Sequence, residues 1–158
     1  MIDYLVEMWQ ELLVVFGTSM IPVGELRVAI PLAHFTYDFP WYVSFIICVL
    51  GNLVPVPFLV MYMKPIFRFI KRIRFFARIV EWLEKRTMKK VEKVEKYSGP
   101  ALCLFVAIPL PGTGAWTGAM IAAMMDMRLK KSIPWITLGV VIAGTVVTLL
   151  TYIFGIII

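Results

Sequence analysis

The sequence predicts an all-α integral membrane protein built as an inverted repeat: two re-entrant helical hairpins, each followed by a transmembrane helix, joined by a basic amphipathic helix. Three observations predict it. The chain is 61% hydrophobic and only 16% charged, whereas soluble domains run near ~45–50% apolar with about a quarter charged. Two nearly uncharged segments, 41–63 and 134–158, exceed the length of about 18 apolar residues that reads as a span. Ahead of each lies an apolar stretch broken by proline and glycine, first at Ile21-Pro22-Val23-Gly24 and then at Pro109-Leu110-Pro111-Gly112-Thr113-Gly114. Short Gly/Pro-interrupted apolar segments at matching places in two halves are the sequence sign of a transporter with an internal repeat.

All 158 residues are expected to form a single membrane domain. Its first half is 1–63, a basic connector is 64–98, and its second half is 99–158. The opening residues carry Asp3, Glu7 and Glu11 and no basic n-region, so no signal peptide is expected. The amphiphilic stretch Asp3 to Gln10 is expected to lie along the membrane surface. Residues 11–33, broken at Pro22, form the first hairpin, and 40–63 the first span, with Pro55 and Pro57 kinking it.

The connector carries most of the charge. Twelve of the sixteen Lys and Arg fall between Lys64 and Lys96, and three more are Arg128, Lys130 and Lys131. The pI of 9.5 is explained by the positive-inside rule rather than by nucleic acid, which is not an expected partner. Both basic regions are therefore placed in the cytoplasm, and both termini outside, in a multi-pass protein of the plasma membrane. At 100° per residue, Ile66, Phe69, Ile70, Ile73, Phe76, Ala77, Val80 and Leu83 share one stripe. Arg68, Lys71 and Arg72 fall opposite, positioned to meet anionic lipid together with Arg128. Packing of that stripe on the rest of the protein is the other reading of the same pattern.

Between the two cytoplasmic regions, 99–125 must leave the inner face and return. Helices of roughly ten residues span about 15 Å, half of a ~30 Å hydrocarbon core, so this segment is the second hairpin. The pentapeptide Val28-Ala29-Ile30-Pro31-Leu32 recurs at Val106-Ala107-Ile108-Pro109-Leu110, an offset of 78. Matching the breaks (Pro22 with Pro111) gives 89, and matching the span starts (Pro40-Trp41 with Pro134-Trp135) gives 94. The last two agree better and define the expected repeat.

Candidate substrate-binding residues cluster at the breaks. Glu25 and Arg27 are charges with apolar residues on both sides, and an ionisable group at membrane depth costs about 2.5–3.5 kcal/mol. Two positions apart on a helix, they point to different sides and do not simply pair. Arg27 would hold an anionic headgroup and Glu25 would be a proton-sensitive carboxylate; the structural alternative is capping, or pairing with the other hairpin. In the second break, Pro111, Gly112, Thr113, Gly114, Trp116 and Thr117 precede or open a helix whose backbone N–H groups suit an anion. The glycines serve close helix packing equally well. Asn52 is a polar residue inside the first span, set to hydrogen-bond an opened hairpin backbone or substrate. His34 and the cysteines Cys48 and Cys103 read as structural. No His/Cys/acid cluster has metal spacing and no nucleophile–base pair is evident, so neither an enzyme nor any metal or cofactor is expected.

The segments Gly24-Glu25-Leu26-Arg27-Val28-Ala29-Ile30-Pro31, Gly51-Asn52 with Pro55-Val56-Pro57, and Pro109 through Gly118 resemble the small multidrug export protein family, itself similar to the DedA (VTT-domain) superfamily. That resemblance implies paired re-entrant hairpins and movement of lipid carriers or phospholipids across the bilayer, in some cases proton-linked. It also implies an acidic residue at the first hairpin, which Glu25 matches, and an arginine near the second, where this chain has Thr113 and Trp116 instead. The expected function is a transporter or flippase for an anionic lipid-like substrate such as a polyprenyl phosphate or phospholipid. The alternatives are a small drug or cation exporter using Glu25 as counter-ion, and a non-transporting scaffold. Membrane lipids and an amphiphilic substrate are the expected partners. Two hairpins and two spans make a thin wall, so a homodimer or larger assembly is expected, burying glycine faces such as 139–144.

Overall fold

The computed structural model describes residues 2–71, 91–109 and 113–155. Every regular element among them is an α-helix: α1 (Ile2–Met20), α2 (Glu25–Phe35), α3 (Trp41–Leu53), α4 (Pro55–Lys71), α5 (Val91–Ala107), α6 (Ala115–Met124) and α7 (Leu129–Phe154). Residues 72–90 of the predicted connector, with Arg72, and the site residues Pro111 and Gly112 lie outside the described residues, as do the side chains of Arg68 and Lys71; the connector's ends are not a separate helix, since 64–71 continue α4 and 91–98 begin α5.

Proline and glycine set the boundaries. Pro22 ends α1, and the chain reverses through Gly24 N–H to Ile21 O (3.2 Å) and Glu25 N–H to Ile21 O (3.0 Å). Pro55 and Pro57 interrupt the first apolar run as expected: α3 stops at Leu53 and α4 starts at Pro55, because a proline offers no N–H to the preceding turn. Residues 41–66 and 129–153 are long and apolar enough to cross a membrane. Their outward faces are apolar too: Trp41, Ile46, Leu50 and Phe58 on one, Leu138, Ile142, Leu149 and Ile153 on the other, are all exposed. Contiguous apolar surface on that scale marks contact with lipid or another apolar partner.

Three expectations need correcting. The N-terminal segment is no separate surface helix: α1 runs unbroken from Ile2 to Met20, since nothing before Pro22 stops it. The second long helix starts at Leu129, with Arg128 at its N-cap and Pro134 inside its second turn, so aligning Pro40 with Pro134 gave the wrong offset of 94. Gly139 and Gly144 do not form an open glycine face. A methyl group on Gly139 would meet Val106 and the Cys103 carbonyl, and one on Gly144 would meet Phe45 and Val49; both glycines are spent on packing inside the chain.

Several local features recur 88 residues apart. Asp38 and Asp126 both take φ 52°. Pro40 (φ −64°, ψ 147°) and Arg128 (φ −65°, ψ 140°) both start a long helix. Both turns close back onto the preceding helix, Phe39 N–H on Ala33 O six residues back at 3.0 Å and Met127 N–H on Ala122 O five residues back at 2.9 Å. Gly51 lies against Phe16 and Ser19 of α1 much as Gly139 lies against Cys103 and Val106 of α5. The pentapeptide echo is accidental, since Val28–Leu32 lies inside α2 whereas Val106 and Ala107 end α5. Packing follows the same rule: α1, α2 and α3 pack on one another, as do α5, α6 and α7, while α2 packs on α7 and α6 on α4.

Lys64 Nζ meets Asp126 Oδ1 at 3.2 Å, so the end of the first long apolar segment and the turn before the second share one end of the bundle. Asp126 is 65% exposed, and solvated pairs contribute only ~0–1 kcal/mol. Lys64→Ala should therefore leave the melting temperature in detergent nearly unchanged; a loss of several degrees would assign this pair a structural role we do not give it.

Candidate functional site

The two breaks meet. Glu25 opens α2 in a left-handed conformation (φ 45°), a backbone that costs a non-glycine residue about 1–2 kcal/mol. The bend delivers its carboxylate to the start of α6, where Oε1 accepts the Trp116 N–H at 3.2 Å and the Ala115 N–H also donates to the carboxylate. A buried helix start leaves orphan N–H donors and a partial positive charge, and the buried Glu25 answers both. Gly114 makes this possible: its φ is 136°, and a Cβ there would overlap Glu25 Oε2.

Arg27 reaches the same break one step earlier. Its Nη2 donates to the Thr113 carbonyl at 2.5 Å and to the Thr113 hydroxyl at 2.8 Å. That hydroxyl in turn donates to Ile108 O at 2.6 Å, closing the second break on itself. Trp116 returns the contact, its indole N–H donating to Met20 O at 3.0 Å and so capping the end of α1. Thr117 turns inward on its own helix, to Gly114 O at 3.4 Å. Each break thus satisfies polar groups that the other opens.

Glu25, Arg27, Thr113, Gly114 and Trp116 are brought together as the sequence predicts, but as partners of one another. The helix start and the guanidinium read as free for a substrate anion are both engaged, each by a residue of the opposite half of the chain. Asn52 belongs here as well. It lines a small cavity with Glu25, Leu26, Arg27, Gly114 and Val140, of about 10 Å³. Asn52 stands half-way along 41–66, and Val140 close to half-way along 129–153. Arg128 lies apart, exposed, at the N-cap of α7.

A family model described as Putative small multi-drug export protein matches residues 25–146. The chain belongs to that family. No curated protein and no solved structure matches it. The match begins just after the first break, at Glu25, and takes in Arg27, Asn52 and the whole second break. Apolar spans and membership of an export-protein family make this a membrane protein.

Other buried polar residues of the chain carry no local sequence signal of their partners. Ser19 donates to the Cys48 carbonyl at 2.5 Å, tying α1 to α3 beside Gly51. Tyr152 donates to Phe39 O at 2.5 Å and shares a 2.6 Å hydrogen bond with Ser44, while His34 stacks on its ring at 4.1 Å. The available signal was the burial cost itself: a lone Ser or Tyr within an apolar span needs a partner. Among the described residues no group of His, Cys, Asp and Glu could hold a metal ion.

Proposed function

We propose that the protein exports small amphipathic cations across the membrane, with Glu25 holding in turn the substrate's positive charge and a proton. The observation that carries this reading is the meeting of two broken helix pairs beside the midpoints of both long apolar helices. Polar groups stand there, at the depth where a hydrocarbon core offers none. In this reading α1–α2 and α5–α6 are re-entrant hairpins dipping in from opposite faces, and the recurrence at 88 residues is an inverted repeat. The Lys64–Asp126 end, next to the basic connector, is cytoplasmic. The turn at 36–40 and both termini face outside.

The mutual contacts of the breaks act as a latch. Glu25 on the α6 start and Arg27 on Thr113 hold the midpoint closed, and a cation that pairs with Glu25 competes with the α6 N–H groups. Arg27 stays near by to balance the carboxylate once substrate leaves. An anionic lipid is the second reading, favoured by one observation: Arg27 is only half-buried, so a headgroup could replace Thr113 as its partner. Kinship with the DedA superfamily would agree with that reading. A homodimer completes the pathway wall in either case, since the exposed apolar faces of 41–66 and 129–153 leave room for a second copy.

Proteoliposomes separate the two readings. Export of a fluorescent lipophilic cation should fall sharply in Glu25→Gln. Scrambling of a fluorescent anionic phospholipid should be no faster than in protein-free vesicles. Lipid movement that is rapid in the native protein and lost in Arg27→Ala would reverse the assignment.

A further inference from the structure

Among the described residues, three buried side-chain oxygens find no hydrogen-bond partner in the protein: Asn52 Oδ1, Thr148 Oγ1 and Thr151 Oγ1. Their residues are 1%, 7% and 0% exposed. The two threonines are unusual within this chain. Thr18 and Thr145 return their hydroxyls to the carbonyl one turn back, at 2.8 Å each, as helical threonines commonly do. A polar atom buried without a partner costs about 1–3 kcal/mol, and such atoms in native bundles are commonly satisfied by bound water.

The three are not scattered. Asn52 lines the cavity beside Glu25, and Val147 of α7 lines its far side. Thr151 is the next residue along that same stripe of α7, about 6 Å further on, with Thr148 on its flank. Helices α3 and α7 run antiparallel here, for Gly144 faces Phe45 and Val49 while Tyr152 meets Ser44. At 100° per residue Thr148 and Thr151 fall on the same side of α7 as Gly144, which faces α3, and beyond them lies the Ser44–Tyr152 pair. That pair reaches the Phe39 carbonyl, in the turn that carries exposed Asp38. Polar side chains are thus spaced along α3 and α7 from the cavity at Glu25 toward that turn.

We propose that the α3–α7 seam holds a file of bound waters and is the proton path to Glu25. The cavity has room for about one water, which would donate to Asn52 Oδ1 and to the Glu25 carboxylate. The waters beyond it would satisfy Thr148 and Thr151. A proton entering at the 36–40 turn passes along the file by successive O–H bond exchange, and the last water gives up its proton as a new O–H bond forms on Glu25. The other charged or titratable group on the cavity is Arg27, from Glu25's own helix. The remaining walls are Asn52 of α3, Val106 of α5, Gly114 and Ala115 at the α6 start, and Val140, Ala143 and Val147 of α7. The inference rests on the reading of Glu25 as the proton-taking group, and its direct test needs no substrate.

Water-edited solid-state NMR on the full chain in lipid bilayers reads the file directly. Asn52, Thr148 and Thr151 should receive water magnetisation as fast as exposed Thr36, despite their burial, while Val60 and Ile136 stay slow. Thr151→Val, nearly the same shape, should slow transfer to Asn52. In proteoliposomes under a pH difference without substrate, that variant should cut protein-dependent proton entry about tenfold, as expected for losing one hydrogen-bonded station. Thr145→Val, which alters an exposed hydroxyl outside the seam, should leave it unchanged. Transfer to Asn52 as slow as to Val60 overturns the proposal, and so does a wet seam whose Thr151→Val variant conducts normally. Neither result touches the export reading, which is decided by the cation assay on Glu25→Gln.

Discussion

Gly114→Ala is expected to be the most damaging one-methyl change in the chain, lowering stability by about 3–5 kcal/mol. Two costs combine. The backbone at φ 136°, ψ −169° lies in a region open essentially to glycine alone. The new methyl would also occupy the place of Glu25 Oε2, forcing the carboxylate off the Trp116 and Ala115 N–H groups. The α6 start would then be buried with unanswered donors and Glu25 left as a buried charge without its cap. Gly17→Ala is the control, because a Cβ there meets nothing within 4 Å and alanine favours a helix by about 1 kcal/mol. Thermal unfolding in detergent, followed by tryptophan fluorescence, should show a large drop for Gly114→Ala and none for Gly17→Ala. Equal melting temperatures would mean that the carboxylate does not rest on that helix start.

Glu25→Gln should do the reverse, sparing the fold and abolishing export. The amide keeps an oxygen that can accept from Trp116, so the lost stability is limited to the charge-assisted part, about 1–2 kcal/mol. Transport suffers far more. An unpaired charge at mid-depth costs about 2.5–3.5 kcal/mol, so losing the counter-ion should slow passage of a cation on the order of a hundredfold. Glu25→Ala removes the cap as well and should fail in both assays. If Glu25→Gln exports a lipophilic cation at the native rate, the carboxylate is a structural cap and not a substrate site.

Some of this was legible in the residues and some was not. Proline and glycine punctuation marked both breaks, and the uncharged runs marked both long helices, because those signals are local. The interruption after Leu53 followed from Pro55 for the same reason. Helix starts read less well: the uncharged run begins at Pro134, yet α7 starts at Leu129, beside Arg128, Lys130 and Lys131, whose charges oppose a helix N-terminus. Matching the proline breaks suggests an offset of 89, while the local recurrence at 88 lies in the backbone at Asp38 and Asp126, where the flanking residues differ in type. The chemistry of the site was half legible. That Glu25 and Arg27 matter followed from the cost of burying them. That they would be spent on Trp116 and Thr113, some ninety residues away, depends on helix packing that no local pattern encodes. The orphan hydroxyls of Thr148 and Thr151 were hidden for the same reason, since each looks like any threonine on an apolar helix.

The central claim is that the two breaks meet at mid-depth in the membrane. Spin labels placed singly at Val23 and Ile108, both exposed next to a break, measure depth through collision with lipid-soluble oxygen against a water-soluble nickel chelate. The account predicts that both labels report a depth near the centre of the hydrocarbon core, equal within about 5 Å, or one helical turn. Labels that report the headgroup region, or opposite surfaces of the bilayer, would contradict it.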